Sequence, residues 1–354
     1  MRAPQRIGIL HGPDVYYSPG NNRKTGMQFY FNHHQDAAWN LAMEELLWRS
    51  GRHAFMLWQN APAVIVGRHQ NTLQEVNGAL ARERGIAVVR RVTGGGAVYH
   101  DLGNINFSMI APSRPWTPEF AAQCLEPLLT ALTRLGAKDC RISGRNDILC
   151  GGVKISGCAR SIQKNRMLFH GTLLYDADLS VLGEVLTPDA DKIRTKGITS
   201  VRARVGNLRS FLGPDAPETP EFLQMLTAEI ARSLQVSGAL PLPEELLKQA
   251  EDLAERKYRT RVWNHMTPFP CNAVRKKQFP SGWVTAEMQI CRDRLEAVRF
   301  TGDFFAEQPV AELENGLAGT VPEYGVLLKK LRQLNAAEYI SGISAEDLAE
   351  LLCV

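Results

Sequence analysis

Apolar residues recur along the chain with two periods, one typical of helices and one typical of strands. Helical spacing begins after residues that favour helix starts, at Asp36, Thr117, Thr219 and Ser344. Short β-branched stretches predict strands at 63–66, 86–92, 105–109, 148–150, 153–156 and 167–174. Within 105–109 apolar and polar residues alternate, which predicts a strand with one solvated face. Gly151 and Gly152 predict a tight hairpin between two of these strands.

Proline-rich punctuation predicts the division into domains. Residues 1–27 are rich in glycine, proline and asparagine and lack periodicity, so they predict an N-terminal extension. The periodic block at 28–240 predicts a first domain. It ends at the segment Leu-Pro-Leu-Pro of residues 240–243. A charged helix, two strands and further helical segments then predict a smaller α+β domain at 243–354.

Composition narrows the function classes. Hydrophobic residues make up 44% and charged residues 22% of the chain, an ordinary balance for a globular protein. The net charge of +4 is too small to argue for nucleic acid, but it suits an acidic protein partner. The seven cysteines form no CxxC pair, and no apolar run approaches the ~20 residues of a membrane helix. We therefore expect a cytoplasmic protein that binds neither membrane nor nucleic acid.

The glycine-rich segment at 94–96 is the first candidate for chemistry. It follows a predicted strand and two arginines, Arg90 and Arg91. Glycine permits close approach of the backbone to a ligand, and exposed N–H groups with arginine beside them suit a phosphate. A flexible hairpin loop with solvated arginines explains the same local features equally well. Neither GxxxxGK[ST] nor GxGxxG is present, so a standard nucleotide fold is not indicated.

Two further polar side chains lie in apolar strands. Lys154 stands between glycines on a short strand, where an inward ammonium requires an anionic partner. A solvent-facing lysine on an edge strand is the alternative. His170 lies in the apolar stretch 167–174, where a hydrogen-bonded core histidine is the usual finding.

Taken together, six segments closely resemble the lipoate–protein ligase family in order and spacing. They are GRHQN at 67–71, RRVTGGGAVYHDLGN at 90–104, SGRNDI at 143–148, GGVKISG at 151–157, FHGTLL at 169–174 and KGITSVR at 196–202. Residues 263–305 resemble the accessory domain of two-domain bacterial ligases. The resemblance implies an α/β (α+β) catalytic fold shared with biotin–protein ligases, with mixed sheets flanked by helices.

The resemblance also implies the site residues. Carried over position by position, the site comprises Arg68, Arg91, Gly94, Gly95, Gly96, Ala97, Val98, Tyr99, His100, Asn146, Asp147, Lys154 and His170. Lys154 is implied to contact the acyl carbonyl and the phosphate, and is the one residue expected to be catalytic. Asp147 is implied either to bind Mg²⁺ or to hold the incoming amine.

The implied reaction is ATP-dependent and has two steps. Lipoate or octanoate and Mg-ATP give an acyl-AMP, and a carrier lysine then displaces AMP. The implied carriers are lipoyl domains of 2-oxoacid dehydrogenase E2 subunits and the glycine cleavage H protein. One alternative is an ATP-independent octanoyl or lipoyl transferase with a nucleophilic cysteine, for which Cys158 is the candidate. Another is a non-catalytic ligand-binding protein on the same fold. Gly96 favours the ligase, because the loop of those transferases resembles GG followed by Arg.

Overall fold

The computed structural model describes residues 26–144, 147–186 and 205–354. Its strands are β1 (Gln28–Asn32), β2 (Ala54–Trp58), β3 (Ala63–Val66), β4 (Ala87–Arg90), β5 (Val98–His100), β6 (Asn104–Pro112), β7 (Arg141–Ser143), β8 (Asp147–Cys150), β9 (Val153–Gln163), β10 (Arg166–Leu174), β11 (Ala273–Phe279), β12 (Gly282–Cys291) and β13 (Arg294–Gly302). Its α-helices are α1 (Ala37–Arg49), α2 (Thr72–Glu75), α3 (Gly78–Glu83), α4 (Pro118–Arg134), α5 (Leu179–Val185), α6 (Thr219–Leu234), α7 (Glu244–Leu253), α8 (Arg261–His265), α9 (Val310–Gly316), α10 (Tyr324–Gln333) and α11 (Ala345–Leu352). The predicted N-terminal extension lies outside the described residues up to position 25, as does the segment KGITSVR.

A seven-stranded mixed sheet in the order β1-β2-β6-β10-β9-β8-β7 forms the centre of the first part of the chain. Among the described strands of this sheet, β1 and β2 pair in parallel and the other neighbours pair antiparallel. One face packs against α4 and α6. The other face packs against α1. Because both faces are covered, β6 is buried along residues 104–111, and the predicted solvated face of that strand is wrong.

A three-stranded sheet in the order β4-β3-β5 lies on the far side of α1. Strand β3 pairs in parallel with β4 and antiparallel with β5. Asp36 caps α1, and its Oδ1 accepts from the backbone N–H of Ala38 at 2.8 Å. This confirms the predicted first helix. The helix is buried on nearly all sides, so it positions groups toward both sheets.

The last part of the chain forms an antiparallel sheet in the order β11-β12-β13, packed against α9, α10 and α11. Ser344 and Asp347 form the predicted capping box at α11. Helix α7, predicted within this second domain, instead packs against α1 through Leu246 and Ala250. The predicted domain boundary at residues 240–243 therefore stays a prediction. In the described ranges, no helix combines the length and the apolar composition that a membrane span requires.

Candidate active site

A cavity of about 200 Å³ lies between α1, the end of the large sheet and the segment that joins β4 to β5. Its walls contain the apolar side chains Leu41, Trp58, Ile65 and Phe305 and several polar groups. Eight of the predicted site residues line it: Arg91, Gly95, Gly96, Ala97, Val98, His100, Lys154 and His170. An apolar chamber with a few polar groups at its walls suits a ligand that has an apolar chain and a charged end.

The segment of residues 93–97, called here the glycine loop, is held by Arg91. The Arg91 guanidinium is buried, and its Nη2 donates to Gly94 O at 2.7 Å and to Gly96 O at 2.8 Å. Its Nη1 donates to Ile65 O at 3.0 Å. Burial lowers the pKa of Arg91 to about 10. The side chain is therefore neither solvated nor free for a phosphate: most of its donors fix the backbone that forms the cavity wall.

Arg90 faces away from the cavity. Its Nη1 donates to Gly67 O, Arg68 O and Gln70 O at 2.7–3.1 Å, and its Nε donates to Trp263 O at 2.9 Å. Only 1% of the residue is exposed. The expectation that Arg90 supplies charge for a phosphate is wrong, because its donors already have backbone partners. The solvated-arginine alternative is wrong for the same reason.

Lys154 and Asp147 form an ion pair at one end of the cavity. The distance from Lys154 Nζ to Asp147 Oδ1 is 2.7 Å, and each side chain is 33% exposed. The two residues lie on β9 and β8, which are joined by the predicted hairpin at Gly151 and Gly152. At Lys154, β9 pairs with Leu149 of β8 on one side and forms a parallel bridge to Val205 on the other, so the edge-strand alternative for Lys154 is wrong. The lysine presents a partly solvated cation to the cavity.

His100 places an N–H group in the cavity wall. Asn60 Nδ2 donates to His100 Nδ1 at 3.0 Å, which puts the ring proton on Nε2. The orientation of the Asn60 amide is set by Asn40, which donates to Asn60 Oδ1 at 2.8 Å. Within the described structure, His100 Nε2 is buried and has no hydrogen-bond partner. Burial lowers the pKa of His100 to about 3, so the ring is neutral and its N–H is a buried donor.

A short segment after β13 closes the cavity from the accessory sheet. Phe304 O accepts from the backbone N–H of Gly95 at 3.2 Å, and Phe305 lines the cavity. A Cβ on Gly94 would lie 2.4 Å from Phe304 O, so this close approach requires glycine. Arg160 of β9 binds Glu307 through two hydrogen bonds of 2.5 and 2.7 Å. The N–H of Gly95 is thus occupied by the accessory segment in this structure.

Some of the predicted site residues lie outside the cavity wall. Arg68 stacks its guanidinium on Trp263 at 4.2 Å from the ring centroid. Tyr99 packs in the core on the other face of the small sheet. Asn146 lies outside the described residues. Sequence reasoning missed Leu41, Trp58, Asn106, Thr172 and Phe305 as cavity residues. The aromatic Phe305 could not be found by any local signal, because it reaches the cavity from a distant part of the chain.

Cys158 lines the cavity but packs into the core that faces α4. Only 3% of the residue is exposed, and burial raises the pKa of its thiol to about 12. Attack by cysteine requires the thiolate. This environment favours the packing role for Cys158 over the nucleophile role.

Comparison with known proteins gives the family. The model of the lipoyl protein ligase A/B catalytic domain matches residues 36–231, and that of the bacterial lipoate protein ligase C-terminus matches residues 269–352. Lipoate–protein ligase 1 of Staphylococcus aureus is 36% identical over 330 residues, which are 92% of this chain and 100% of that protein.

Solved structures agree in fold. LipL1 of P. falciparum in complex with lipoate has a TM-score of 0.73 at 20% identity, over 89% of this chain and 96% of that one. A lipoate–protein ligase A bound with ATP has a TM-score of 0.57 at 26% identity, over 68% and 99%. The bipartite ligase of Thermoplasma acidophilum, analysed with its E2 lipoyl domain, has a TM-score of 0.58 at 29% identity, over 70% and 98%. The predicted fold class is confirmed, and the chain belongs to the lipoate–protein ligase family.

Proposed function

We propose that this enzyme activates lipoate or octanoate with ATP and transfers the acyl group to a lysine of a carrier domain. The observation that carries the proposal is the position of Lys154, a cation at the wall of a largely apolar cavity. An apolar acyl chain fits the chamber, and its carboxylate meets the ammonium. The ATP-bound relative at 26% identity supports ATP as the second substrate.

In the first step a carboxylate oxygen of lipoate bonds to the α-phosphorus of ATP, and the bond from that phosphorus to pyrophosphate breaks. Negative charge then grows on the phosphoryl oxygens. The Lys154 ammonium, held by Asp147, stabilises this charge more in the transition state than in the ground state. The neutral N–H of His100 is a further donor for an oxygen of the bound substrate.

In the second step the uncharged ε-amine of the carrier lysine attacks the acyl carbonyl. An amide bond forms, AMP leaves, and the amine releases one proton. Holding the anhydride beside the amine makes the reaction effectively unimolecular. The relative studied with its E2 lipoyl domain supports lipoyl domains of 2-oxoacid dehydrogenases as carriers. We extend the proposal to the glycine cleavage H protein from the family resemblance.

Mg²⁺ fits this site only as a partner of ATP. In the parts of the chain that the structure describes, no three His, Cys, Asp or Glu side chains converge on one point. Protein sites for Mg²⁺-nucleotides commonly supply one or two carboxylates and leave the other ligands to phosphate and water. Asp147 is the carboxylate that we propose for this role, and the ion would neutralise part of the phosphate charge.

The cavity is small for a complete adenylate. Its volume of about 200 Å³ lies below the range of ~300–1,000 Å³ that is usual for ligand pockets. We therefore propose that the segment carrying Phe304, Phe305 and Glu307 moves when ATP binds. Hydrogen exchange with and without lipoate and ATP tests this: amides of 302–307 should exchange at different rates. Identical exchange would count against the movement.

The decisive experiment combines purified protein, ATP, lipoate and an apo lipoyl domain, with intact mass as the readout. We expect the carrier to gain the mass of one lipoyl group only when ATP is present. Pyrophosphate release without the carrier would separate the first step from the second. Lipoylation of the carrier from an acyl donor without ATP would replace the ligase proposal with a transferase.

A further inference from the structure

Glu44 of α1 is a buried carboxylate that the sequence motifs did not indicate. The residue has 0% exposure, although its neighbours Leu41 and Trp58 line the cavity. Its Oε1 accepts from Ser108 Oγ at 2.5 Å and lies 2.8 Å from His170 Nδ1. A carboxylate accepts hydrogen bonds, so His170 Nδ1 carries a proton and donates it to Glu44.

The other side of the His170 ring continues this connection to the glycine loop. His170 Nε2 lies 2.7 Å from Thr93 Oγ1, and Arg91 Nε donates to the same hydroxyl oxygen at 3.0 Å. A neutral His170 ring with its proton on Nδ1 accepts at Nε2, so the Thr93 hydroxyl, which itself accepts from Arg91, donates to the ring. The order is therefore guanidinium, hydroxyl, imidazole and carboxylate, with every donor directed toward Glu44.

We propose that Glu44 is a positioning residue for the glycine loop: its charge, relayed through His170 and Thr93, balances Arg91 while leaving Nη2 to bind the loop carbonyls. This inference rests on the proposed function only in treating the loop as the wall of the substrate cavity. Glu44 does not touch the reacting atoms.

Thr93 and His170, which lie between the two charges, explain how Arg91 can be balanced by Glu44 and still bind the glycine loop. A buried guanidinium needs a compensating anion, because removing a charge from water is costly. Direct carboxylate–arginine pairs commonly use two parallel N–H groups. Such a pair at Nη2 would displace the bonds to Gly94 O and Gly96 O. By placing Thr93 and His170 between the charges, the structure keeps the anion close and the loop-facing donors free.

The neighbouring residue provides a matched control. Glu45 is also buried, at 2% exposure, but it accepts from Tyr258 Oη at 2.5 Å and from Lys257 Nζ at 2.7 Å. These two partners lie in the segment after α7, a third, Arg49, lies on α1, and none of the three lines the cavity. Glu44→Gln and Glu45→Gln are thus the same chemical change, one residue apart, in two different networks.

The experiment measures hydrogen exchange of residues 94–98, melting temperature and steady-state kinetics for both variants of the full chain. We expect both substitutions to lower the melting temperature, but only Glu44→Gln to accelerate exchange of the loop amides. The same variant should raise the KM for lipoate about tenfold, the size expected for weakening a charge-assisted hydrogen bond, with a much smaller change in kcat. Equal loop exchange in the two variants would overturn the proposal.

A second variant keeps the test decisive if Glu44→Gln fails to fold. Thr93→Val preserves the shape and both charges but removes the hydroxyl that connects them. It should loosen the loop amides in the same way. Where both variants fold, the double variant should show less than the sum of the two effects on exchange. Full additivity, or an unchanged loop in Thr93→Val, would show that no relay exists. Loop exchange needs no ligand, so this outcome is independent of whether the enzyme is a lipoate ligase.

Discussion

Two buried charge networks lie on opposite sides of α1 and the end of β4, and they use adjacent residues of the same type. The cavity network contains Glu44 and Arg91 and fixes the glycine loop. The linker network contains Glu45 and Arg90 and fixes the segment that leads to the accessory sheet. Glu44 and Glu45 are consecutive, as are Arg90 and Arg91, and in both cases the two side chains contact different parts of the molecule.

The comparison teaches that charge and burial alone do not identify a site. Arg90 and Arg91 are both buried, and burial lowers the pKa of each to about 10. Arg90 bonds to the backbone of residues that join two parts of the chain, whereas Arg91 bonds to a loop that contacts a cavity. Substitutions in the linker network should therefore affect folding first, and substitutions in the cavity network should affect activity first.

The largest effect on stability should follow Arg90→Met. This change removes the donors of six hydrogen bonds, to Gly67 O, Arg68 O, Gln70 O, Thr72 Oγ1, Trp263 O and Asn264 O. Because buried acceptors lose their partners, we expect the free energy of unfolding to fall by about 3–5 kcal/mol in urea denaturation.

The control for this prediction is Arg232→Met. The Arg232 side chain is 69% exposed, and its one ion pair among the described residues is with Glu229 at 3.3 Å. We expect its effect on unfolding to stay within about 0.5 kcal/mol. A similar loss of stability in both variants would contradict the structural role of Arg90.

The contrast between these two arginines also shows what the sequence could not predict. The motif RRVTGGG predicted a loop at 94–96, which the structure confirms between β4 and β5. It did not reveal that Arg91 and not Arg90 faces the cavity, because that depends on how the small sheet packs beside α1. Glu44 was missed because a glutamate on a helix normally marks the solvent side, whereas α1 is enclosed by two sheets and α7. Phe305 was missed because the cavity residue nearest to it in sequence is Thr172, 133 positions earlier (305 − 172).

In activity, the largest effect should follow Lys154→Met. The substitution keeps an apolar stem of similar length and removes the ammonium that faces Asp147. Loss of one preorganised donor typically lowers kcat by a factor of about 10²–10³, and we expect at least this loss in pyrophosphate release from lipoate and ATP. Stability should change little, because the side chain is partly exposed.

Lys154→Arg should not restore this activity, because a planar guanidinium replaces a compact cation. Normal pyrophosphate release in Lys154→Met, with failure only in transfer from supplied lipoyl-AMP, would move Lys154 to the second step. If Lys154→Met changed neither step, the active site would lie elsewhere. The cavity network would then no longer be the one that affects activity first.

A separate effect should appear in the pH dependence of stability, through His100 of the cavity wall. Burial, together with Arg91 and His170, lowers the pKa of His100 to about 3, below its ordinary value of 6.5. The unfolded chain therefore binds a proton at this residue at higher pH than the folded chain does. Its contribution to stability is complete above pH 6.5 and is lost as the pH falls toward 3, by at most about 1.4 kcal/mol per pH unit. In His100→Gln, urea denaturation should show a flatter loss between these pH values. An unchanged slope would contradict a neutral buried ring.

The smallest effect should come from Cys158→Ser. The thiol packs against the core facing α4, and the raised pKa of about 12 leaves almost no thiolate at neutral pH. ATP-dependent activity should therefore remain within about one order of magnitude of the wild type, because the change mainly affects packing. Cys158→Ala removes the sulfur without burying a hydroxyl, and it should retain activity as well. Alkylation gives an independent check: Cys271 and Cys291 are exposed and should react, whereas Cys158 should be protected in the folded protein. If both substitutions abolished acyl transfer and the wild type yielded a Cys158 thioester, the cavity would belong to a cysteine transferase, and Lys154 would no longer be its centre.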